Sequence, residues 1–432
     1  MNDKLLQAIL DIGQAMLESG AEINRVEDSV ERMCLGYGCR RCDIYSIPNN
    51  MQLTVESEDG KIFTQIRNVR KSATDFDRLD QLNALSRSVV SDRPDEETIT
   101  KKLEMIGRRK ETGTALTFFS AMVASGSFTV FFGGNVRDAL VAMVVGFVVI
   151  WMEKKLHQIE NNIFTFNFVI SAVIAFIALI SVKTGIGSSS RHIIIGSIML
   201  VISALGLTNG IREVLHSNII SGIIRVVNAC LGALGIAAGT WITMLILSQG
   251  TEVRHNTGAV TQLVSLTVGC VAFSMMVGIH GRKLFFAGTG AFLTWIVMIA
   301  VNSAAHSVFL STLAASVFVT LYAELMARVN RAPATIFLTL TAYPLIPGAS
   351  FYDMMYYLVK LQYREAGEQA LITLAVAVGI AFGFIIGGII YKYIQHTVSF
   401  VRRKRRQKER TEFAREIRNQ RKKLRDRRSK GH

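Results

Sequence analysis

The feature that most constrains this chain is a series of long windows without Asp, Glu, Lys or Arg. They cover residues 114–136, 139–152, 161–182, 192–211, 226–251, 255–281, 284–323, 332–352 and 369–391. A bilayer core of ~30 Å takes ~20 apolar residues of helix. The window 284–323 is twice that length, and the stretch NSAAHS at 302–307 is a natural turn inside it. The sequence therefore predicts ten transmembrane helices. The shortest window, 139–152, reaches membrane length if Arg137 snorkels and Asp138 lies at the interface. A soluble all-helical core does not account for these segments, because they show no polar face for water.

Charge is concentrated at the two ends. Half of the 432 residues are apolar and only 19% are charged, but residues 1–111 and those from Arg402 onward are densely charged. Between His396 and His432 there are 16 Lys and Arg against 4 Asp and Glu, so this tail carries +12 of the chain's +15. The high pI therefore reflects one tail and not a basic fold surface, which argues against nucleic acid as a partner. The tail reads instead as a topology anchor that touches anionic lipid. Lys101, Lys102, Arg108, Arg109 and Lys110 precede the first span. With the basic tail they predict both termini in the cytoplasm of a multi-pass cytoplasmic-membrane protein. Asp3, Lys4, Asp11 and Glu18 interrupt the start of the chain, so no signal core is expected there. Five cysteines, an odd number, suggest reduced thiols.

The membrane part repeats itself. ALGIAAG at 233–239 returns as AVGIAFG at 377–383, an offset of 144 residues. The same offset pairs Gly146 with Gly290, Trp151 with Trp295 and Thr114 with Gly258. Each copy holds five predicted spans, and an odd number makes the second copy enter from the opposite side. The expected fold is thus α-helical and polytopic, two inverted five-helix repeats behind a small α+β cytoplasmic domain. The boundaries read 1–111 for that domain, 114–249 and 258–393 for the repeats, and 396–432 for the tail. Inverted repeats are a recurring plan of secondary transporters. A duplicated receptor or scaffold is the rival reading.

Polar groups within the apolar windows mark candidate sites. YPLIPGASFYD at 343–353 breaks the ninth predicted span at Pro344, Pro347 and Gly348, with Tyr352 and Asp353 just after. The equivalent segment in the first copy, ISALGLTNGIRE, carries Thr208, Asn209, Arg212 and Glu213. Asn167 lies in the third span, and Asn228 lies on one face with Arg225 near the start of the fifth. Arg225 is the candidate to meet a carboxylate, against its reading as a snorkelling helix-end arginine. Gly235 and Gly239, and Gly379, Gly383 and Gly387, form small-residue rows that read as helix packing.

The N-terminal region predicts helices over 3–19, 22–35, 75–91 and 95–109, with strands around Pro48-Asn49-Asn50 and Glu58-Asp59-Gly60. SGAEINRVED at 19–28 gathers Glu22, Arg25, Glu27 and Asp28. Acids at a helix start serve capping and the dipole, and here they are also candidates for gating. Cys34, Cys39 and Cys42 lack a fourth ligand, and no His lies in residues 1–111, so no metal is expected. No cofactor is expected either.

The motifs SGAEINRVEDSVERM (19–33), CDIYSIPNNMQLTV (42–55) and YPLIPGASFYD (343–353) together resemble those of the threonine/serine exporter (ThrE) family. The resemblance covers nearly the whole chain. It implies no enzymatic activity but export of threonine and serine, coupled to the proton gradient. Relatives with the halves on separate chains imply a dicarboxylate such as succinate as the alternative substrate. The family's Pro-Gly in the first half is replaced here by Ser203-Ala204. A membrane-anchored hydrolase built on the N-terminal domain is the reading from another class. Self-association into a homo-oligomer is left open by the sequence.

Overall fold

Apolar residues three and four apart build the first helix, α1 (Asp3–Glu18), which buries Leu6, Ile9, Leu10 and Met16. The computed structural model describes residues 3–69, 74–108, 113–156, 162–202, 204–215, 217–247 and 258–429. Gly20, at φ +87, turns the chain into α2 (Ile23–Gly36), whose Val26, Val30 and Met33 are buried. Three antiparallel strands follow in the order β1 (Arg41–Ile47), β2 (Asn50–Glu56) and β3 (Ile62–Asn68). Alternate residues of β2, Met51, Leu53 and Val55, are fully buried. A Cβ at Gly13 would stand 2.8 Å from Val30 and 3.1 Å from Met51, so only glycine lets the three elements close. Asp75 caps α3 (Phe76–Asp92) by accepting from the Arg78 N–H at 2.9 Å. Helix α4 (Glu96–Arg108) completes a small α+β region.

Twelve helices make up the rest of the described residues. The first six are α5 (Thr114–Phe131), α6 (Val136–Leu156), α7 (Ile163–Lys183), α8 (Ser190–Ile198), α9 (Ala204–Leu215) and α10 (Ile219–Leu247). The second six are α11 (Ala259–Met276), α12 (Arg282–Ala305), α13 (Val308–Asn330), α14 (Ala334–Ala342), α15 (Gly348–Val359) and α16 (Tyr363–Ser429). Their lengths and starting points recur. Helices α8 and α14 both have nine residues, α9 and α15 both have twelve, and α8, α9 and α10 start 144 residues before α14, α15 and α16.

Seven of these helices are long and apolar enough to cross a membrane: α5, α7, α10, α11, α12, α13 and the part of α16 from Tyr363 to Thr397. The pair from Ala334 to Leu345 and from Gly348 to Leu358, bent by 48°, makes an eighth. The forty-residue apolar window divides at His306, whose left-handed backbone (φ +47) ends α12 before the Ser307 cap of α13. The difference from ten spans lies in α6 and in α8 with α9. Helix α6 has 21 residues, but Arg137 and Asp138 at one end and Glu153, Lys154 and Lys155 at the other raise its charge. Its exposed Leu140, Val144, Phe147 and Trp151 nonetheless form an outward apolar stripe.

Two helix pairs pack alike. Helix α7 lies along α10, and α13 along α16. A Cβ at Gly235 or Gly239 would run into the Phe164 and Phe168 carbonyls, and one at Gly383 into Ser316. The small-residue rows are close-approach positions.

Candidate functional site

Proline has no N–H to donate, so Pro344 and Pro347 end α14 in a 3-10 turn (Tyr343–Leu345) and restart the chain as α15. The equivalent break, between α8 and α9, has no proline; Met199 to Val201 close turns on Ile195, Ser197 and Ile198. The two breaks meet. The fully buried Tyr343 hydroxyl donates to the carbonyl of Met199, a position 144 residues earlier. The Tyr343 ring lies between Phe128 of α5 and Phe273 of α11, with centroids 5.3 and 4.2 Å away. A Cβ at Gly348 would stand 2.9 Å from the Met199 sulfur.

Beside this crossing lies a cavity of about 210 Å³. Its wall is built from pairs of residues 144 apart: Ile202 and Ile346, Leu207 and Phe351, Ala229 and Thr373, Ala233 and Ala377, Ile236 and Ile380. Cys230 and Pro347 complete it. The volume is below the roughly 300–1,000 Å³ of drug-sized pockets and suits a small solute. The Thr373 hydroxyl lies 3.0 Å from Ser350 Oγ and 2.9 Å from the Gln369 carbonyl, and Ser350 donates to the Pro347 carbonyl at 3.2 Å.

A buried ion pair joins α8 to α15. Arg191 donates to both Asp353 oxygens, from Nε at 2.8 Å and from Nη2 at 2.7 Å. The buried Asp138 carboxylate, at the start of α6, accepts from the backbone N–H groups of Ser188 and Ser189 at 2.6 and 3.0 Å. It fixes the turn that aims Arg191.

A second polar junction holds the N-terminal region against the membrane helices. Glu213 of α9 accepts from Arg225 of α10 at 3.0 Å and from the Ile23 N–H at 3.4 Å. Arg225 also donates to the Ala21 carbonyl at 3.2 Å. Glu22 accepts from the Thr335 hydroxyl, at the start of α14, at 2.9 Å. Asn218 donates to Asn24 at 2.5 Å, and Lys283 to Asp80 at 2.5 Å. Glu27 accepts from the Ser46 N–H at 2.7 Å. Burial pushes the Glu27 carboxyl above its usual range; the Ser46 N–H opposes this and the nearby Glu213 adds to it.

The predicted site residues thus fall into separate places. Pro347 lines the cavity and Gly348 starts the helix beside it. Asp353 belongs to the Arg191 pair, and Tyr352 is buried one residue before it, 6.3 Å from the Tyr356 ring. Arg225 sits in the N-terminal junction. Asn167 is buried against α10, where a Cβ at Gly232 would be 2.7 Å from its amide. Asn228 is exposed. Thr208, Asn209 and Arg212 lie on α9 with side chains outside the described residues, as do Ser203 and the side chains of the basic tail. Glu22 and Glu27 join the junction, Arg25 donates to Asn83 at 3.0 Å, and Asp28 pairs with Arg32 at 2.8 Å on the surface. Tyr343, Ser350, Thr373 and Arg191 are not among the residues that the sequence singles out. The 144-residue offset marks Tyr343 and Met199 as equivalent positions, and the structure brings them into contact. Cys34 contacts Cys42, and that contact together with burial pushes its thiol well up. Among the described residues no group of three or more His, Cys, Asp or Glu stands close enough to hold a metal ion.

Seven long apolar helices, with the bent pair from Ala334 to Leu358 as an eighth, define a multi-pass membrane protein. The family model ThrE, described as "Putative threonine/serine exporter", matches residues 7–247, and a second, described as "Threonine/Serine exporter, ThrE", matches residues 262–390. The chain belongs to the ThrE threonine/serine exporter family. It is 21% identical over 410 residues to a Mycobacterium tuberculosis (strain ATCC 25618 / H37Rv) protein named "Probable threonine/serine exporter", across 89% of this chain and 76% of that one. No solved structure matches the chain.

Proposed function

We propose that this protein is a secondary transporter that exports threonine and serine across the cytoplasmic membrane, driven by the proton gradient. The observation that carries this reading is the cavity wall of residues paired at 144, beside the crossing of two broken helices. Broken helices at the interface of inverted repeats are where such transporters place substrate, because the breaks free backbone donors and acceptors. In this reading α6 and the broken pair α8 with α9 are also spans, which makes ten. Two inverted sets of five then occupy 114–249 and 258–393, with the 1–111 domain, the 396–432 tail and both termini cytoplasmic. The recurrence of helix lengths and the outward apolar stripe of α6 support it.

The two polar junctions take the role of gates. The Arg191–Asp353 pair ties the halves together on the outer side. On the cytoplasmic side the segment from Ala21 to Glu27 is wedged among α9, α10 and α14. A dicarboxylate fits the cavity less well, since among the described residues no basic side chain lines it. Proteoliposomes loaded with labelled L-threonine, L-serine or succinate under an imposed pH gradient test the proposal. Threonine and serine efflux, accelerated by a proton gradient directed against the amino acid, is the expected result. No flux of any of the three would overturn it.

A further inference from the structure

Of the five residue pairs in the cavity wall, one differs in chemical kind. Three pairs in its wall are identical, isoleucine or alanine on both sides, and Leu207 opposite Phe351 is apolar on both. Ala229 and Thr373 differ in kind, and Thr373 is the hydroxyl-bearing side chain among the described lining residues.

That hydroxyl has a defined hydrogen-bond sense. A hydroxyl offers one hydrogen and two acceptor positions. Ser350 gives its hydrogen to the Pro347 carbonyl, at 3.2 Å. Thr373 therefore gives its own to Ser350, at 3.0 Å, or to the Gln369 carbonyl, at 2.9 Å. Either way the oxygen of Thr373, a lining residue, keeps its acceptor positions. A hydroxyl moved into apolar surroundings without a partner costs roughly 1–3 kcal/mol by protein mutational data. A solute bearing a hydroxyl is thus admitted only if its O–H finds such an acceptor. A solute with a methyl in that place leaves the acceptor unpaired.

We infer that Thr373, held in place by Ser350, is the residue by which the cavity selects hydroxyl-bearing amino acids over apolar ones of the same shape. The inference rests on the transport reading above and deepens it. The duplication supplies an apolar chamber, and the Ala229/Thr373 difference makes it chemically selective.

Equilibrium binding to the purified full-length protein tests this with two isosteric pairs, L-threonine against L-valine and L-serine against L-alanine. The wild type is expected to favour each hydroxyl form by about tenfold or more. Thr373→Val should bring both ratios close to one, Thr373→Ser should keep them, and Ser350→Ala should lower them in part. Unchanged ratios in Thr373→Val, or no hydroxyl preference in the wild type, would overturn the inference. If Thr373→Val does not fold, Ser350→Ala decides: a lowered ratio supports the inference and an unchanged one overturns it. Wild-type protein that neither binds nor moves any of the four amino acids removes the transport reading itself. Wild-type flux with ratios indifferent to position 373 removes only the selection.

Discussion

Arg191 and Asp353 are about nine-tenths buried and 162 residues apart in the chain. Removing one partner of a buried ion pair strands the other charge and costs roughly 3–5 kcal/mol. Arg191→Ala should therefore lower the melting temperature of the detergent-solubilised protein markedly. The exchanged pair, Arg191→Asp with Asp353→Arg, should recover part of the loss. An unshifted melt in Arg191→Ala would show that the pair is not a latch. Asn228 makes the opposite case. It is polar and lies within a span, but it is exposed and does not line the cavity. Asn228→Ala should leave threonine flux within about twofold of wild type, since exposed substitutions shift stability by only about ±0.5 kcal/mol. The sequence supplied the residue types and not their partners. Arg225 reads as a cation awaiting a carboxylate, and its carboxylate turns out to be Glu213, twelve residues earlier, with Ala21 beyond it. Thr373 is one hydroxyl in an apolar helix. It becomes informative only when α15 brings Ser350 to it.

Among the elements, those with local signals were legible. The α+β region follows from helical periodicity, period-two strands and turn residues, and its strands bracket both predicted turns. The break before α15 announces itself in Pro344 and Pro347. Its partner between α8 and α9 has no proline, so its place came from the repeat offset and not from local chemistry. The glycine rows are a further case. Gly239 packs on the Phe168 carbonyl and Ser171, so Gly239→Val must push α10 away from α7. Overpacking of this kind costs about 1–3 kcal/mol and more where backbone is the obstacle. Size-exclusion chromatography should show a reduced yield of monodisperse protein. Gly388→Ala, with open space around its Cβ position, should behave as wild type. Equal yields for the two variants would contradict the packing role.

At the scale of the whole molecule, the N-terminal region touches both halves of the membrane part. Ile23 and Asn24 reach α9 and the turn before α10, while Glu22 and Asp80 reach α14 and α12. Nothing in the motif SGAEINRVED tells this, because acids at a helix start are ordinary. The docking should depend on pH through Glu27. Burial raises its pKa in the docked state. The stability it contributes is therefore complete below the ordinary value of 4.5 and is lost as pH rises through the raised one. Hydrogen exchange in α2 and β1 should accelerate on raising the pH through this window, after correction for the intrinsic rate. Glu27→Gln should flatten the response, and an unchanged response would assign it to another group.

The bond between Tyr343 and Met199 joins two positions that correspond under the duplication. If the halves exchange shapes during transport, each position takes up the other's surroundings. Methionine has no hydroxyl, so the exchanged arrangement cannot rebuild this bond. The two end states then differ by one buried hydrogen bond, worth about 1 kcal/mol, or roughly a fivefold bias in population. Tyr343→Phe should remove the bias, and single-cysteine accessibility at the two membrane faces would read it out as a redistribution. In the proposed transport cycle this would give the chain a built-in resting position, set by one oxygen atom, that of the Tyr343 hydroxyl.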